Sequence, residues 1–505
     1  MNLSTNLRQS AQRTPDVAAL LYLDQTISYR ELDLDVDRFA IGLAQHGIIK
    51  GSHVALLLGN SPEFVIAYYA IVRLGAVAVP INPLYTPGEI QFILADCKID
   101  AVIALGQMAP LAPLVKMMIP SCKLMILVGA EAEGALAFAD VLNSEGELPS
   151  VEMTPDEVAV ILYTSGTTGQ PKGALLSHKN LCANANNIGD FLNMSAEDIV
   201  VAVLPMFHVF CMTVCLNAPI YRGATLLVMP RFSPTETAQA IQATRATMFA
   251  GVPTMFNFLL QHPEVEPDVL SSLRVAISGG AAMPVAVLTG FEKKFNVIVS
   301  EGYGLSEASP VVTFNPLDRP RKAGTIGVAI PCVEARVVDE NGNELEPGMI
   351  GELVCRGDNV MIGYLNRPEE TAIALRDGWL YTGDMATMDE EGYFTIVDRK
   401  KDMIIVGGFN VYPREVEEVL FHHPSVREAA VVGVPDANYG EKVCAYVALK
   451  QEDVTAEDLI EHCAGELASY KVPKEVLILE ELPKNTTGKI LRRELKKQQS
   501  NSVSP

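Results

Sequence analysis

From residue 53 onward, short apolar runs alternate with longer stretches in which apolar residues recur at helical spacing. The segments are 54–58, 63–74, 76–80, 88–94 and 101–104. This is the rhythm of βαβαβ units, and it predicts a parallel sheet covered by helices. The pattern returns at 224–228, 234–243, 247–250 and 274–278, with Gly279-Gly280 closing the last run, so a second α/β layer is expected. Between 323 and 397 the character changes to short β-like runs separated by Asn341-Gly342, Pro347-Gly348 and Asp377-Gly378. Such turn dipeptides predict a small β subdomain. After the charged cluster 398–402, β-like runs at 428–433, 443–447 and 475–479 flank a helical stretch at 456–467, which reads as a small α+β domain. The fold class is therefore α/β: a large N-terminal domain of two α/β layers with a β subdomain (1–398), a boundary at 399–402, and a small C-terminal domain (403–505).

One stretch invites a different reading. Residues 199–221 contain no Asp, Glu, Lys or Arg and reach the length needed to cross a bilayer. Pro205, His208, Asn217 and Pro219 interrupt the run, however, and a span would separate the glycine-rich loop described below from the motifs that follow it. A strand leading into a buried helix is expected instead. The first ten residues lack the basic start and apolar core of a secretory signal and are expected to open an amphipathic helix.

Composition narrows the function classes. At 505 residues the chain exceeds what one hydrophobic core usually supports. A net charge of -22 argues against nucleic acid or an anionic membrane surface as the main partner, because both demand basic patches. An anionic ligand must then be held by local donors. The nine cysteines include no CxxC pair, which points to reduced thiols and a cytoplasmic location.

The densest chemistry lies at 163–173, Tyr-Thr-Ser-Gly-Thr-Thr-Gly-Gln-Pro-Lys-Gly. Gly166 and Gly169 let the backbone approach an anion, Thr164, Ser165, Thr167 and Thr168 carry hydroxyl donors, and Lys172 supplies a point charge, so the loop suits a polyphosphate. It is not a Walker A loop: Pro171 precedes the lysine and an apolar stretch follows, which predicts a second strand. A plain Ser/Gly/Thr linker is the competing reading of the loop alone. Gly279-Gly280-Ala281 and Glu301-Gly302-Tyr303 follow strand-like runs, where glycine permits close approach and Tyr303 offers a ring for adenine; two ordinary βα turns would read the same way.

Further motifs follow in order: Gly302-Tyr-Gly-Leu-Ser-Glu307, Tyr381-Thr-Gly-Asp384, Asp398-Arg-Lys-Lys-Asp402, Gly407-Gly-Phe-Asn-Val-Tyr-Pro413 and Pro483-Lys-Asn-Thr-Thr-Gly-Lys-Ile-Leu491. With the loop at 163–173, this ordered set resembles the adenylate-forming superfamily of acyl-CoA synthetases, luciferases and peptide-synthetase adenylation domains, over nearly the whole chain. The resemblance implies ATP, Mg²⁺ and coenzyme A. It implies that Ser306 contacts phosphate, Glu307 binds Mg²⁺, Asp384 accepts the ribose hydroxyls with Arg399 as partner, and Lys489 bridges the carboxylate and α-phosphate. Serine stands at 306 where many members carry threonine, which keeps the hydroxyl. The C-terminal domain is implied to swing about Lys401 or Asp402 between two half-reactions, bringing Gly407, Gly408 and Phe409 to the pantetheine arm. His208 matches a gate beside the acyl carboxylate. Taken singly, Asp384 also reads as a turn residue and His208 as a satisfied core histidine.

Amino-acid-activating members carry an aspartate shortly after the phenylalanine that matches Phe207. Here His208-Val-Phe-Cys-Met212 follows, with no acid to pair a substrate ammonium. The apolar residues 209–216, with 251–256 opposite in the resembling arrangement, suit an alkyl chain and favour a medium- or long-chain fatty acid. An aryl acid such as a hydroxycinnamate is the alternative within the class. A luciferase-like monooxygenase would use the same adenylation machinery, and a non-catalytic nucleotide sensor would not need Lys489 and Glu307. Homodimer formation and weak peripheral membrane contact are both compatible with the sequence.

Overall fold

A computed structural model of the chain describes residues 2–111, 115, 117–164, 171–436, 438–451, 454–484 and 490–502. Within them the first βαβαβ unit forms as the pattern predicts. Strands His53–Leu57, Val77–Pro80 and Ala101–Leu105 pair in parallel, and helices Pro62–Arg73 and Pro87–Asp96 connect them. The Ser61 hydroxyl accepts from the Phe64 N–H, and Pro62 occupies the first turn, which fixes where the first of these helices starts. Its apolar residues run all round, so it is buried on every side, with Phe64, Tyr68 and Tyr69 fully enclosed.

Among the described residues these strands belong to an eight-stranded sheet. Val158–Thr164 pairs beside Val77–Pro80, Lys172–Ser177 turns back antiparallel to it, and Gly363–Tyr364 closes that edge. A nine-stranded sheet carries Ile199–Ala202, Met248–Gly251, Val275–Ser278 and Val299–Gly304 as parallel neighbours in sequence order. The carboxyl ends of parallel strands are where open α/β sheets place their ligands, and residues 279–281 and 305–307 leave from two of those ends.

A five-stranded sheet built from Val333–Val338, Gly351–Gly357, Leu375–Arg376, Trp379–Met388 and Phe394–Arg399 forms the small β unit. The remaining sheet is made only of strands from Ile404–Val406 onward, with Val426–Asp436 and Gly440–Leu449 as its long pair. Helix Leu3–Arg13 occupies the N-terminus, its Leu3, Leu7 and Ala11 on the buried face. Residues 199–221 fold as strand Ile199–Ala202, a π-helical turn Cys211–Asn217 and helix Ala218–Arg222. No helix among the described residues is long and apolar enough to cross a membrane.

The cluster 398–402 is not uniformly solvated. Asp398 is 4% exposed and accepts from the backbone N–H groups of Arg399 and Arg414, at 2.7 and 2.9 Å. Two backbone donors compensate the enclosed carboxylate, which is how a charged residue can end a strand inside the protein. Arg414 also donates to the Ile396 carbonyl at 2.9 Å, so helix Pro413–His422 is tied to strand Phe394–Arg399.

Candidate active site

Two chains of contacts converge at the strand ends. The first begins at the mouth of the antiparallel pair, where Thr164 lies opposite Lys172. The Lys172 Nζ sits 5.5 Å from the Tyr364 ring centroid and 3.9 Å from Glu370 Oε1. The Tyr364 hydroxyl donates to Glu307 Oε1 at 2.8 Å. Glu307 lies with Ser306 on the short 3-10 turn Ser306–Ala308, just after strand Val299–Gly304. Ser165, Gly166, Thr167, Thr168 and Gly169 lie outside the described residues.

The second chain joins Tyr303 to the small β unit. Its hydroxyl donates to Asp384 Oδ2, and burial together with the Asp384 charge pushes the phenol pKa well above its usual value. Asp384 faces Arg399 across the antiparallel pair of strands Trp379–Met388 and Phe394–Arg399, with Arg399 Nε 3.3 Å from Asp384 Oδ1. Asp384 is 7% exposed, whereas the Arg399 side chain is about half exposed. Gly302, which lies in the same strand as Tyr303, is required for close approach: a Cβ there would meet the Phe314 ring at 2.3 Å. Gly280 and Ala281 follow strand Val275–Ser278, with Ala281 exposed.

Glu301 is placed differently from its neighbours. It is 1% exposed, its Oε1 accepts from the Met283 N–H at 3.0 Å, and its Oε2 has no hydrogen-bond partner among the described residues. Burial raises its pKa to about 7; the charge of Arg414 opposes the shift and that of Glu418 adds to it. Its carboxylate is therefore turned into the protein, toward helix Pro413–His422.

Other residues singled out from the sequence lie at the margins. His208 is half-buried, and its Nδ1 accepts from the Phe210 N–H at 3.3 Å. Residues 209–216 are closed into the core, none more than 7% exposed. Phe207, Met255 and Leu305 are the partly buried side chains packed against that core nearby. Gly407 and Gly408 form the two-residue turn between strands Ile404–Val406 and Phe409–Val411. Both have positive φ, +57° and +88°, as such a hairpin turn demands, and a Cβ on Gly408 would meet open space. Phe409 is exposed and stacks on Tyr470 at 4.9 Å. Lys401 is exposed, and Asp402 lies 3.9 Å from Arg492.

Lys489 lies outside the described residues; the described Lys484 and Ile490 form an antiparallel bridge. Lys484 Nζ pairs with Glu428 Oε1 at 2.6 Å and lies 5.8 Å from the ring of Phe258, on helix Pro253–Gln261 of the nine-stranded layer. This contact ties the C-terminal segment to helix Pro253–Gln261, and the Arg414 contacts tie it to strand Phe394–Arg399 of the small β unit. Tyr364, Arg414, Lys484 and Phe258 were not foreseen from the sequence. Only Lys484 carried a local signal, as part of the Pro483–Leu491 motif.

The donor set fits a hard divalent cation. Mg²⁺ is usually held by one or two carboxylates together with substrate phosphates rather than by an all-protein cage. Among the described residues no cluster of three or more His, Cys, Asp or Glu is found, while Glu307 carries a hydrogen bond on Oε1 and none on Oε2.

Residues 7–365 match the AMP-binding enzyme family and residues 415–489 match the AMP-binding enzyme C-terminal domain. The chain belongs to this family of adenylate-forming enzymes. Among its relatives is a long-chain-fatty-acid–CoA ligase of Bacillus subtilis, 39% identical over 98% of this chain and 94% of the relative. The crystal structure of ATP-bound MatB from Rhodopseudomonas palustris is 33% identical, with full coverage of both chains and a TM-score of 0.93. Apo MatB from the same organism, at the same identity and coverage, superposes with a TM-score of 0.81.

Proposed function

We propose that this protein is a fatty acid–CoA ligase that first joins a fatty acid to AMP and then transfers the acyl group to coenzyme A. The observation that carries the reading is the convergence of Lys172, Glu307, Tyr303, Asp384 and Arg399 at the strand ends, in a chain similar to long-chain-fatty-acid–CoA ligases over almost its entire length.

A carboxylate is a poor acyl donor because its leaving group would be oxide. In the first step its oxygen attacks the α-phosphorus of ATP, the bond to the β-phosphate oxygen breaks, and pyrophosphate leaves. Lys172 and the loop 164–169 cradle the phosphates, Tyr303 stacks on adenine, Gly280 and Ala281 border it, and Asp384 with Arg399 holds the ribose. Glu307 would hold Mg²⁺, which supplies positive charge against the phosphate oxygens when bound. Lys489 adds charge between carboxylate and α-phosphate, where a preorganised cation is worth most. In the second step the thiol gives up its proton to solvent, its sulfur attacks the acyl carbonyl, the C–O bond to phosphate breaks, and AMP leaves. His208 positions the carboxylate at the mouth of the apolar layer.

We place the domain boundary at 399–402, with Lys401 and Asp402 at the pivot. The higher structural match to ATP-bound than to apo MatB supports reading this arrangement as the adenylating one. Gly407, Gly408 and Phe409 then serve the thioester step after rotation. We place the reaction in the cytoplasm, where ATP and coenzyme A are both available.

The test is a panel of acids scored for CoA-dependent AMP release. Saturated acids of roughly eight carbons or more should lead, because each buried methylene contributes about 0.8 kcal/mol. If acetate or a cinnamate outperforms every fatty acid, the substrate reading is wrong.

A further inference from the structure

Lys172 opens a strand of one sheet, and Glu307 lies on the turn that follows a strand of the other. Residues 361–365 bridge the two. The Met361 N–H donates to the Glu307 carbonyl at 2.8 Å, the Ile362 N–H to the Leu175 carbonyl at 2.9 Å, and the Leu365 N–H to the Gly173 carbonyl at 2.8 Å. Gly363 and Tyr364 pair with Leu175 and Ala174. The segment is thus stitched at one end to the turn that carries Glu307 and along its length to the strand that begins at Lys172. The Tyr364 N–H donates to Thr371 Oγ1 at 2.9 Å, which fixes the residue from a third side.

The Tyr364 side chain then touches both charged groups: its hydroxyl is 2.8 Å from Glu307 Oε1 and its ring faces the Lys172 ammonium. We propose that Tyr364 is a positioning residue, whose hydroxyl aims the Glu307 carboxylate at the metal while its ring holds Lys172 ready for phosphate. Partners that orient a metal-binding carboxylate typically change metal affinity 10- to 100-fold when removed. A cation over an aromatic face is held more weakly, by about 0.5–1 kcal/mol at a partly exposed site. The two functions of the ring are therefore separable by substitution. Glu370, 3.9 Å from Lys172, faces the same ammonium and would compete with phosphate for it.

The proposal rests on the reading of Glu307 as metal carboxylate and Lys172 as phosphate ligand, so the experiment includes that reading as a control. The full-length enzyme is compared with Tyr364→Phe, Tyr364→Leu and Glu307→Gln. Binding of ATP is measured by calorimetry in EDTA and across a Mg²⁺ titration, with melting temperature recorded for each protein. Tyr364→Phe keeps the ring and should bind metal-free ATP as the parent does, yet need on the order of ten-fold more Mg²⁺ to reach its tighter state. Tyr364→Leu should show the same Mg²⁺ shift and bind metal-free ATP about two- to five-fold more weakly. If Glu307→Gln displaces the Mg²⁺ curve and Tyr364→Phe overlays the parent, the role of the tyrosine is refuted while the metal reading stands. If Glu307→Gln overlays the parent as well, both fall. A Tyr364→Phe protein that binds less ATP at every Mg²⁺ level, with a lowered melting temperature, has lost packing only, and that outcome also overturns the proposal.

Discussion

Replacing Glu301 by glutamine should make the protein more stable at pH 8 than it is now, although the residue lies among motifs assigned to nucleotide binding. Burial raises the carboxyl pKa from an ordinary 4.5 to about 7. A carboxyl raised in the folded state favours folding in its protonated form. Its contribution is intact below the unfolded value near 4.5 and is lost as pH rises through 7. One pKa unit corresponds to about 1.4 kcal/mol, so the native state forfeits on the order of 3 kcal/mol between pH 4.5 and 8. Arg414 and Glu418, the charged groups of helix Pro413–His422 that act on Glu301, pull in opposite directions and leave burial as the dominant cause. Glutamine has no charge to bury, so Glu301→Gln removes this pH-dependent loss. Any misfit of the amide adds a constant that does not vary with pH.

The assay is urea unfolding of both proteins at pH 5 and pH 8, followed by the fluorescence of Trp379, the single tryptophan. The stability difference, variant minus parent, should grow by roughly 2–3 kcal/mol from the lower pH to the higher. A difference equal at the two values, or one that falls as pH rises, would show that Glu301 is ionised without penalty and that the enclosed placement is wrong.

Lys484→Met leaves Glu428, whose side chain is 7% exposed and whose Oε2 has no hydrogen-bond partner among the described residues, without its cation. Removing one member of a buried pair typically costs about 3–5 kcal/mol, so thermal unfolding of the C-terminal part should move down sharply and acid-dependent pyrophosphate exchange should slow with it. Phe258→Ala removes the cation–ring contact and the stacking of Phe258 on Phe232, and should slow the exchange at a smaller stability cost, roughly 1–2 kcal/mol. Equal melting losses in the two variants would contradict the division of roles at Lys484.

Much of the architecture was legible in the apolar rhythm. Parallel strands alternating with helices leave a period-switching pattern, and caps such as Ser61 with Pro62 mark helix starts locally. The hairpin at Gly407-Gly408 was visible as a motif, but the structure adds a reason for the glycines that the motif did not supply: both residues need positive φ. Charge clusters were less readable. Asp398 was legible only as part of a charged boundary cluster, because nothing local shows that Arg414, 16 residues later, returns its backbone N–H to the carboxylate. The π-helical turn at Cys211–Asn217 also left no periodic signature. Tyr364 was missed for the same physical reason: its bond to Glu307 spans 57 residues and two sheets, so only packing reveals it. Individual site residues were thus easier to nominate than the contacts that position them.

The central claim is that one chain forms an acyl-adenylate before it meets coenzyme A, and it is tested most directly by measuring the two half-reactions separately in the parent and in Lys489→Ala. With a long-chain fatty acid and no CoA, the parent should exchange labelled pyrophosphate into ATP. Lys489→Ala should lose that exchange by at least about 10²-fold, as expected for removing one preorganised charge, yet still convert supplied acyl-adenylate and CoA to thioester at the parent's rate. Exchange in the parent that requires CoA, or loss of both steps together in the variant, would contradict the account.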